Sequence, residues 1–227
     1  MLGMTPATLF PPDSRTPYET LLRRRQYQVV VGIDEVGRGS IAGPVVAAAV
    51  VLRSLRARFV ADLDDSKKLP AAERSRLSRL IHRHAVGVGI GVVDNTVIDE
   101  INILQASFRA MHLALKALPI QADYLLIDGH LRLPSTELPQ LPLVKGDSRC
   151  KSIAAASIVA KVHRDQLMTD LAREYPAFGF ATNKGYGTPG HWEALRQHGP
   201  TRFHRLSFKG VAAGDPVSFS TMELEPA

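Results

Sequence analysis

The stretch VVVGIDEVGRGSIAGPVVAAAV, residues 29–50, constrains the fold more than any other part of the chain. Its opening residues, 29–33, form a largely β-branched apolar run, as a central strand covered on both faces requires. Two adjacent carboxylates, Asp34 and Glu35, stand at the exit of that strand, just ahead of Gly37-Arg38-Gly39. Glycines at such a turn let another backbone approach closely. Acids in that setting point to a metal-assisted site rather than to the core. A second apolar run, 124–127, also ends in an acid followed by glycine, Asp128-Gly129. If the two strands are neighbours in one sheet, Asp34 and Asp128 leave it side by side.

With 227 residues and 45% hydrophobic content, the chain has material for one large domain and a sizeable core. The single cysteine, Cys150, excludes an internal disulfide. No apolar run approaches the roughly 18 residues of a bilayer span, and the first residues carry prolines and acids in place of a signal peptide's apolar centre. The expectation is a cytoplasmic, monomeric protein with no membrane partner. Net charge is +6, from 28 basic and 22 acidic side chains. If four acids belong to a metal site, 28 cations face 18 remaining acids. That excess favours a polyanion such as nucleic acid.

Periodicity divides the chain into a loose leader (1–17), an α/β domain with a C-terminal helical part (18–213), and a frayed tail (214–227). Within the domain, a short basic helix over 18–27 precedes the first strand. Strands are expected at 45–52, 86–93, 124–127 and 141–144. Helices are expected at 71–84, at 99–118 with a period near 3.6, and at 152–174, where four alanines permit tight docking on the sheet. This order predicts one layered α/β domain built on a mixed sheet.

Phosphodiester hydrolysis needs a nucleophile made from water and a counterweight to charge on the leaving oxygen. Two divalent ions about 3.5–4 Å apart provide both. Hard ions of the Mg²⁺ type take oxygen ligands, so a few carboxylates suffice. Zinc spacings of His and Cys are absent from the sequence. Asp34, Glu35 and Asp128 supply three carboxylates, and Asp147 and Asp165 compete to be the fourth. Eighteen residues separate those two, roughly 27 Å if the span is helical, so both cannot serve one cluster. Asp147 is preferred, because the fifth strand delivers it to the same edge and the following helix start favours an anion. Asp165 then has a surface or helix-pairing role.

The segments GIDEVGRG (32–39), AGPVVAAAV (42–50), DSKKL (65–69) and INILQAS (101–107) resemble those of ribonuclease HII, the type 2 ribonuclease H of bacteria. So do LIDG (126–129), VKGD (144–147), AAASIVAKVHRD (154–165), NKGYGT (183–188) and HRLSF (204–208), in the family's order. The resemblance implies an RNase H-like fold and a nuclease dependent on Mg²⁺ or Mn²⁺. It would cut RNA in RNA–DNA hybrids and act on duplex DNA containing ribonucleotides, incising on the 5′ side and leaving a 3′-hydroxyl. The family's four metal-binding acids fall on Asp34, Glu35, Asp128 and Asp147. One departure stands out: the family often has proline after GRG, where this chain has Ser40.

Discrimination of RNA from DNA must come from the 2′-hydroxyl. A glycine-flanked turn can present backbone groups to it, and the resemblance assigns that task to Gly37, Arg38 and Gly39. A site built to pair a hydroxyl can reject the analogue lacking it by about 10⁴–10⁵. Tyr186, between two glycines, corresponds to the family's tyrosine that packs on the adjoining sugar. Ser66, Lys67 and Lys68 are candidate phosphate holders, with Lys184, Lys145, Lys161 and Arg205 as weaker ones. His191 and His204 are candidates near the metals or structural residues, and Trp192 is expected to pack. Two rivals remain open: a same-fold nuclease acting on other DNA structures, and a catalytically silent hybrid-binding module. A nucleotide-phosphate cradle at 37–43 is disfavoured, since the chain has neither GxGxxG nor a GK[ST] loop.

Overall fold

A computed structural model of the protein describes residues 16–214. The expected leader and tail therefore lie outside the described residues, save for Thr16, Pro17 and Gly214. Five strands form one mixed sheet in the order β3-β2-β1-β4-β5. They are β1 (Val30–Val36), β2 (Val45–Val51), β3 (Gly87–Val93), β4 (Tyr124–Asp128) and β5 (Gln140–Leu143). Neighbours β1, β2 and β3 run antiparallel, whereas β1, β4 and β5 run parallel.

Strand alternation explains the layers. On one face, Val31, Ile33, Val45, Ala47, Ala49 and Val51 bury against Ala106, Ala110 and Ala114 of α3 (Asn95–Lys116). On the other, Val46, Ala48 and Val50 pack under α2 (Ala71–His84) and the alanines of α4 (Lys151–Glu174). The docking is close enough to need bare backbone. A Cβ on Gly32 of β1 would lie 2.1 Å from the carbonyl carbon of Ser152, and one on Gly91 of β3 would lie 2.0 Å from the carbonyl oxygen of Ala110.

A short helix, α1 (Tyr18–Arg23), closes the bottom of the sheet and sends Glu19 into the interior. The C-terminal part holds α5 (Phe180–Asn183) and α6 (Pro189–His198) around a satellite core of Met168, Phe178, Phe180 and Leu195. Three elements differ from expectation, the first being α1, which stops at Arg23 instead of running to 27. β1 extends through Asp34 and Glu35 to Val36, because antiparallel pairing with β2 (Asp34↔Ala48, Glu35↔Ala47) continues after parallel pairing with β4 stops at Ile33↔Ile127. The helix expected at 99–118 begins earlier, where the Asp94 carboxylate accepts from the Val97 N–H, and it is broken at Asn102 (φ 66°). There the Asn102 side chain accepts from the Leu104 and Gln105 N–H groups and restarts the helix as a cap does.

Gly32→Ala should destabilise the fold by about 3 kcal/mol, because the added methyl meets immovable backbone rather than a flexible side chain. Urea unfolding against the unaltered protein measures this; a change near zero would show that β1 and α4 can separate freely.

Candidate active site

The switch in pairing at β1 builds the site. Ile33 opposite Ile127 makes Asp34 and Asp128 leave the sheet as neighbours at one edge. β5 runs parallel beyond β4 and passes the chain into a short 3₁₀ turn, Gly146–Ser148, that carries Asp147 to the same edge. Asp34, Glu35, Asp128 and Asp147 line one cavity of about 490 Å³ with Gly37, Arg38, Gly39, Ser66, Lys67 and Tyr186.

Few hydrogen bonds hold the acids. The Glu35 N–H donates to Asp34 Oδ1 at 2.7 Å, and the Gly146 N–H donates to Asp128 Oδ1 at 2.7 Å. The Arg38 guanidinium donates to Glu35 Oε1 at 3.2 Å. Burial pushes the Asp34 carboxyl well above its ordinary range, and the charges of Glu35 and Asp128 push it further. Burial also raises Glu35 against the opposing pull of Arg38. Asp147 is raised by burial and by the charges of Asp65 and Asp128. The helix-start effect expected at Asp147 does not dominate, because Glu19 supplies the acceptor there: its Oε1 takes the Ser152 N–H at 2.8 Å.

An all-oxygen, desolvated set of like charges fits a hard divalent cation, which relieves the repulsion among the carboxylates. Among the described residues, no three His, Cys, Asp or Glu side chains stand close enough together to hold one metal ion. A hard divalent ion keeps several waters and accepts substrate oxygens, so it takes few protein ligands at once.

The cavity's second wall is backbone held from behind. Gly37 has φ +93°, and a Cβ there would lie 2.1 Å from Arg164 Nε. Arg205, fully buried, donates to the carbonyls of Gly37 (2.7 Å), Arg38 (2.9 Å) and Gly43 (3.0 Å). Arg164, also fully buried, donates to the carbonyls of Pro44 (2.9 Å), Lys184 (2.8 Å) and Ala42 (3.2 Å). A trans peptide places its N–H opposite its C=O, so the Arg38 and Gly39 N–H groups point away from the Arg205 guanidinium. Ser40 is fully buried and its hydroxyl has no hydrogen-bond partner among the described residues, a burden proline would not carry there.

Several candidates belong elsewhere. Arg205 is a structural clamp rather than a phosphate holder, since its Nε and both terminal nitrogens donate to carbonyls inside the protein. Lys184 points its ammonium at the Asp165 carbonyl and Thr169 Oγ1. Lys68 pairs with Asp64 at 3.1 Å on the surface, and neither it nor Lys145 lines the cavity. His191 and His204 are buried away from the carboxylates, packed edge-on or tilted among Phe178 and Phe180. Trp192 packs against the satellite core. Asp165 pairs with Lys161 at 2.6 Å and with Arg74 of α2 at 3.6 Å. Sequence reasoning missed Ser157, which lines the cavity, bonds Ser66 Oγ at 2.9 Å and helps keep Asp34 ionised. Its signal was the four-residue spacing from Lys161, another lining residue, which puts both on one helix face.

Clustered carboxylates at the edge of a mixed α/β sheet, beside a backbone-lined turn, make a site suited to metal-assisted phosphodiester chemistry. The family model described as Ribonuclease HII matches residues 31–211. The chain is 53% identical over 196 residues to a ribonuclease HII of Chloroflexus aggregans, covering 85% of this chain and 92% of that relative. It is 54% identical over 185 residues to one of Lactobacillus delbrueckii subsp. bulgaricus, covering 82% of this chain and 71% of the relative. The crystal structure of ribonuclease H2 from Pyrococcus horikoshii OT3 superposes with a TM-score of 0.69 at 25% identity, covering 82% of this chain and 97% of that one. The chain belongs to the ribonuclease HII family: it is a divalent-metal-dependent endoribonuclease acting on the RNA of RNA–DNA hybrids. Among the described residues, no helix is long and apolar enough to cross a membrane.

Because the fold disfavours the ionised Asp34, Asp34→Asn should stabilise the metal-free protein while removing cleavage. A gain of ~1 kcal/mol would appear as a Tm rise of ~2–4 °C in EDTA; a lower Tm would contradict the electrostatic account. A second outcome concerns His204, whose pKa burial and the neighbouring His191 lower from 6.5 to about 4. The unfolded chain then binds more protons than the folded one between those values. This contribution to stability is complete above pH 6.5 and is lost as pH falls toward 4. Urea titrations across that range should show a slope that His204→Phe reduces.

Proposed function

We propose that Asp34, Glu35, Asp128 and Asp147 hold Mg²⁺ or Mn²⁺ and that the protein incises duplex DNA 5′ of a single embedded ribonucleotide, besides cutting hybrids. The products carry 3′-hydroxyl and 5′-phosphate ends. The carrying observation is the shared cavity, in which the four acids face the Gly37-Arg38-Gly39 backbone and Tyr186. When bound, divalent ions supply the water-derived nucleophile and offset charge on the departing 3′-oxygen.

The protein's own groups do the reading. The Arg38 and Gly39 amides, fixed by Arg205, meet the 2′-hydroxyl, and a deoxyribose leaves them unpaired, which costs binding. Ser66 and Lys67 hold phosphate at the cavity wall. Tyr186, 39% exposed, packs on the sugar beside the ribonucleotide. A reader of one ribose needs no second ribonucleotide, and this favours single-site incision over a requirement for long hybrids.

A duplex bearing one ribonucleotide should be cut beside the ribose in Mg²⁺ and left whole in EDTA. Asp34→Asn and Asp128→Asn should each abolish cutting while hybrid binding stays measurable. Turnover in either variant would contradict the ligand assignment, and cutting of all-DNA junctions would favour a same-fold nuclease of different specificity.

A further inference from the structure

The buried histidine pair outside the cavity has only one consistent arrangement of protons while both rings are neutral. His191 Nδ1 lies 2.8 Å from the carbonyl oxygen of Tyr186. A carbonyl only accepts, so that nitrogen carries the hydrogen. His204 Nδ1 lies 2.9 Å from the backbone nitrogen of Thr201. A backbone N–H only donates, so His204 Nδ1 is bare. The two Nε2 atoms stand 3.0 Å apart. With those assignments, His204 Nε2–H donates and His191 Nε2 accepts. Every ring nitrogen is satisfied, and the chain runs one way: Thr201 N–H to His204, His204 to His191, His191 to the Tyr186 carbonyl. A further proton on either ring would set N–H against N–H.

Both imidazoles are 1% exposed and sit among the rings of Phe178 and Phe180, so no water replaces a lost link cheaply. The Tyr186 ring, by contrast, is open to solvent at the cavity wall. The Arg164 guanidinium lies 6.0 Å from its ring centre. Ring placement therefore depends on how the backbone beneath it is held, and the chain ends on that backbone. Ala42 and His204 form a strand-like bridge, so the anchor joins the segment that follows the Gly37-Arg38-Gly39 turn.

We propose that His191 and His204 are positioning residues, which register the Tyr186 ring against the sugar through this one-way hydrogen-bond chain. The proposal rests on reading Tyr186 as the sugar-packing side chain. His191→Phe keeps a ring in the aromatic nest and removes the donor. It should raise KM for a duplex with one ribonucleotide about tenfold while kcat changes less than about threefold. Tyr186→Ala should raise KM similarly, and the double variant should be no worse than Tyr186→Ala alone. KM effects that multiply in the double variant would overturn the positioning role and leave the Tyr186 reading standing. An unaltered KM in Tyr186→Ala would remove the sugar-packing reading, and the proposal with it. Imidazole ¹⁵N spectra of the unaltered protein at pH 7 test the arrangement without any variant. They should show His191 protonated at Nδ1 and His204 at Nε2, and the opposite tautomers or a charged ring would overturn it.

Discussion

Two buried guanidiniums hold the working face of this enzyme together. Arg205 and Arg164 between them take six backbone carbonyls from three segments distant in the sequence: 37–38, 42–44 and Lys184. Arginine suits the task, since its planar fork stays charged and donates in several fixed directions. Removing a charge from water is costly, and burial lowers the pKa of Arg205 to about 9. Several short charge-assisted hydrogen bonds each offset that cost. The return is conformational. Carbonyls turned inward oblige the Arg38 and Gly39 amides to turn the other way, so the turn is ordered before any nucleic acid arrives.

The opposite wall carries the reverse tension. Asp34 is 7% exposed beside other carboxylates, and nothing in the fold neutralises it fully. A core would exclude such a grouping, whereas a site for hard divalent ions requires it. Cations behind one loop and anions on the facing strands make the cavity a polarised slot. The Arg38–Glu35 contact links the two walls across it.

Much of this was legible in the chain. β1 and β2 announce themselves by valine- and isoleucine-rich runs, β4 by a short apolar run ending in an acid, and α2 was placed at residues 71–84, as observed. The acids at strand exits stood out because an apolar run rarely ends in two carboxylates and a glycine turn without cause. Illegible features depend on contacts across distance. Arg205 read as a phosphate ligand because a guanidinium has the same chemistry whether it meets phosphate or carbonyl. Lys184 read likewise until its ammonium was found on the Asp165 carbonyl. Ser157 was hidden in an alanine-rich helix whose face toward the acids depends on how α4 docks over Gly32.

Composition and periodicity by themselves determined the α/β layering, the oxygen-only donor set and the excess of positive charge left to meet a polyanion. These are local or summed properties, fixed by which residues are present and how they alternate. Tertiary structure alone decided which cations are buried clamps, where β1 ends, and that two histidines form a chain instead of attending a metal. Each of those outcomes turns on desolvation and on the direction of a hydrogen bond, and neither exists until distant segments pack against one another.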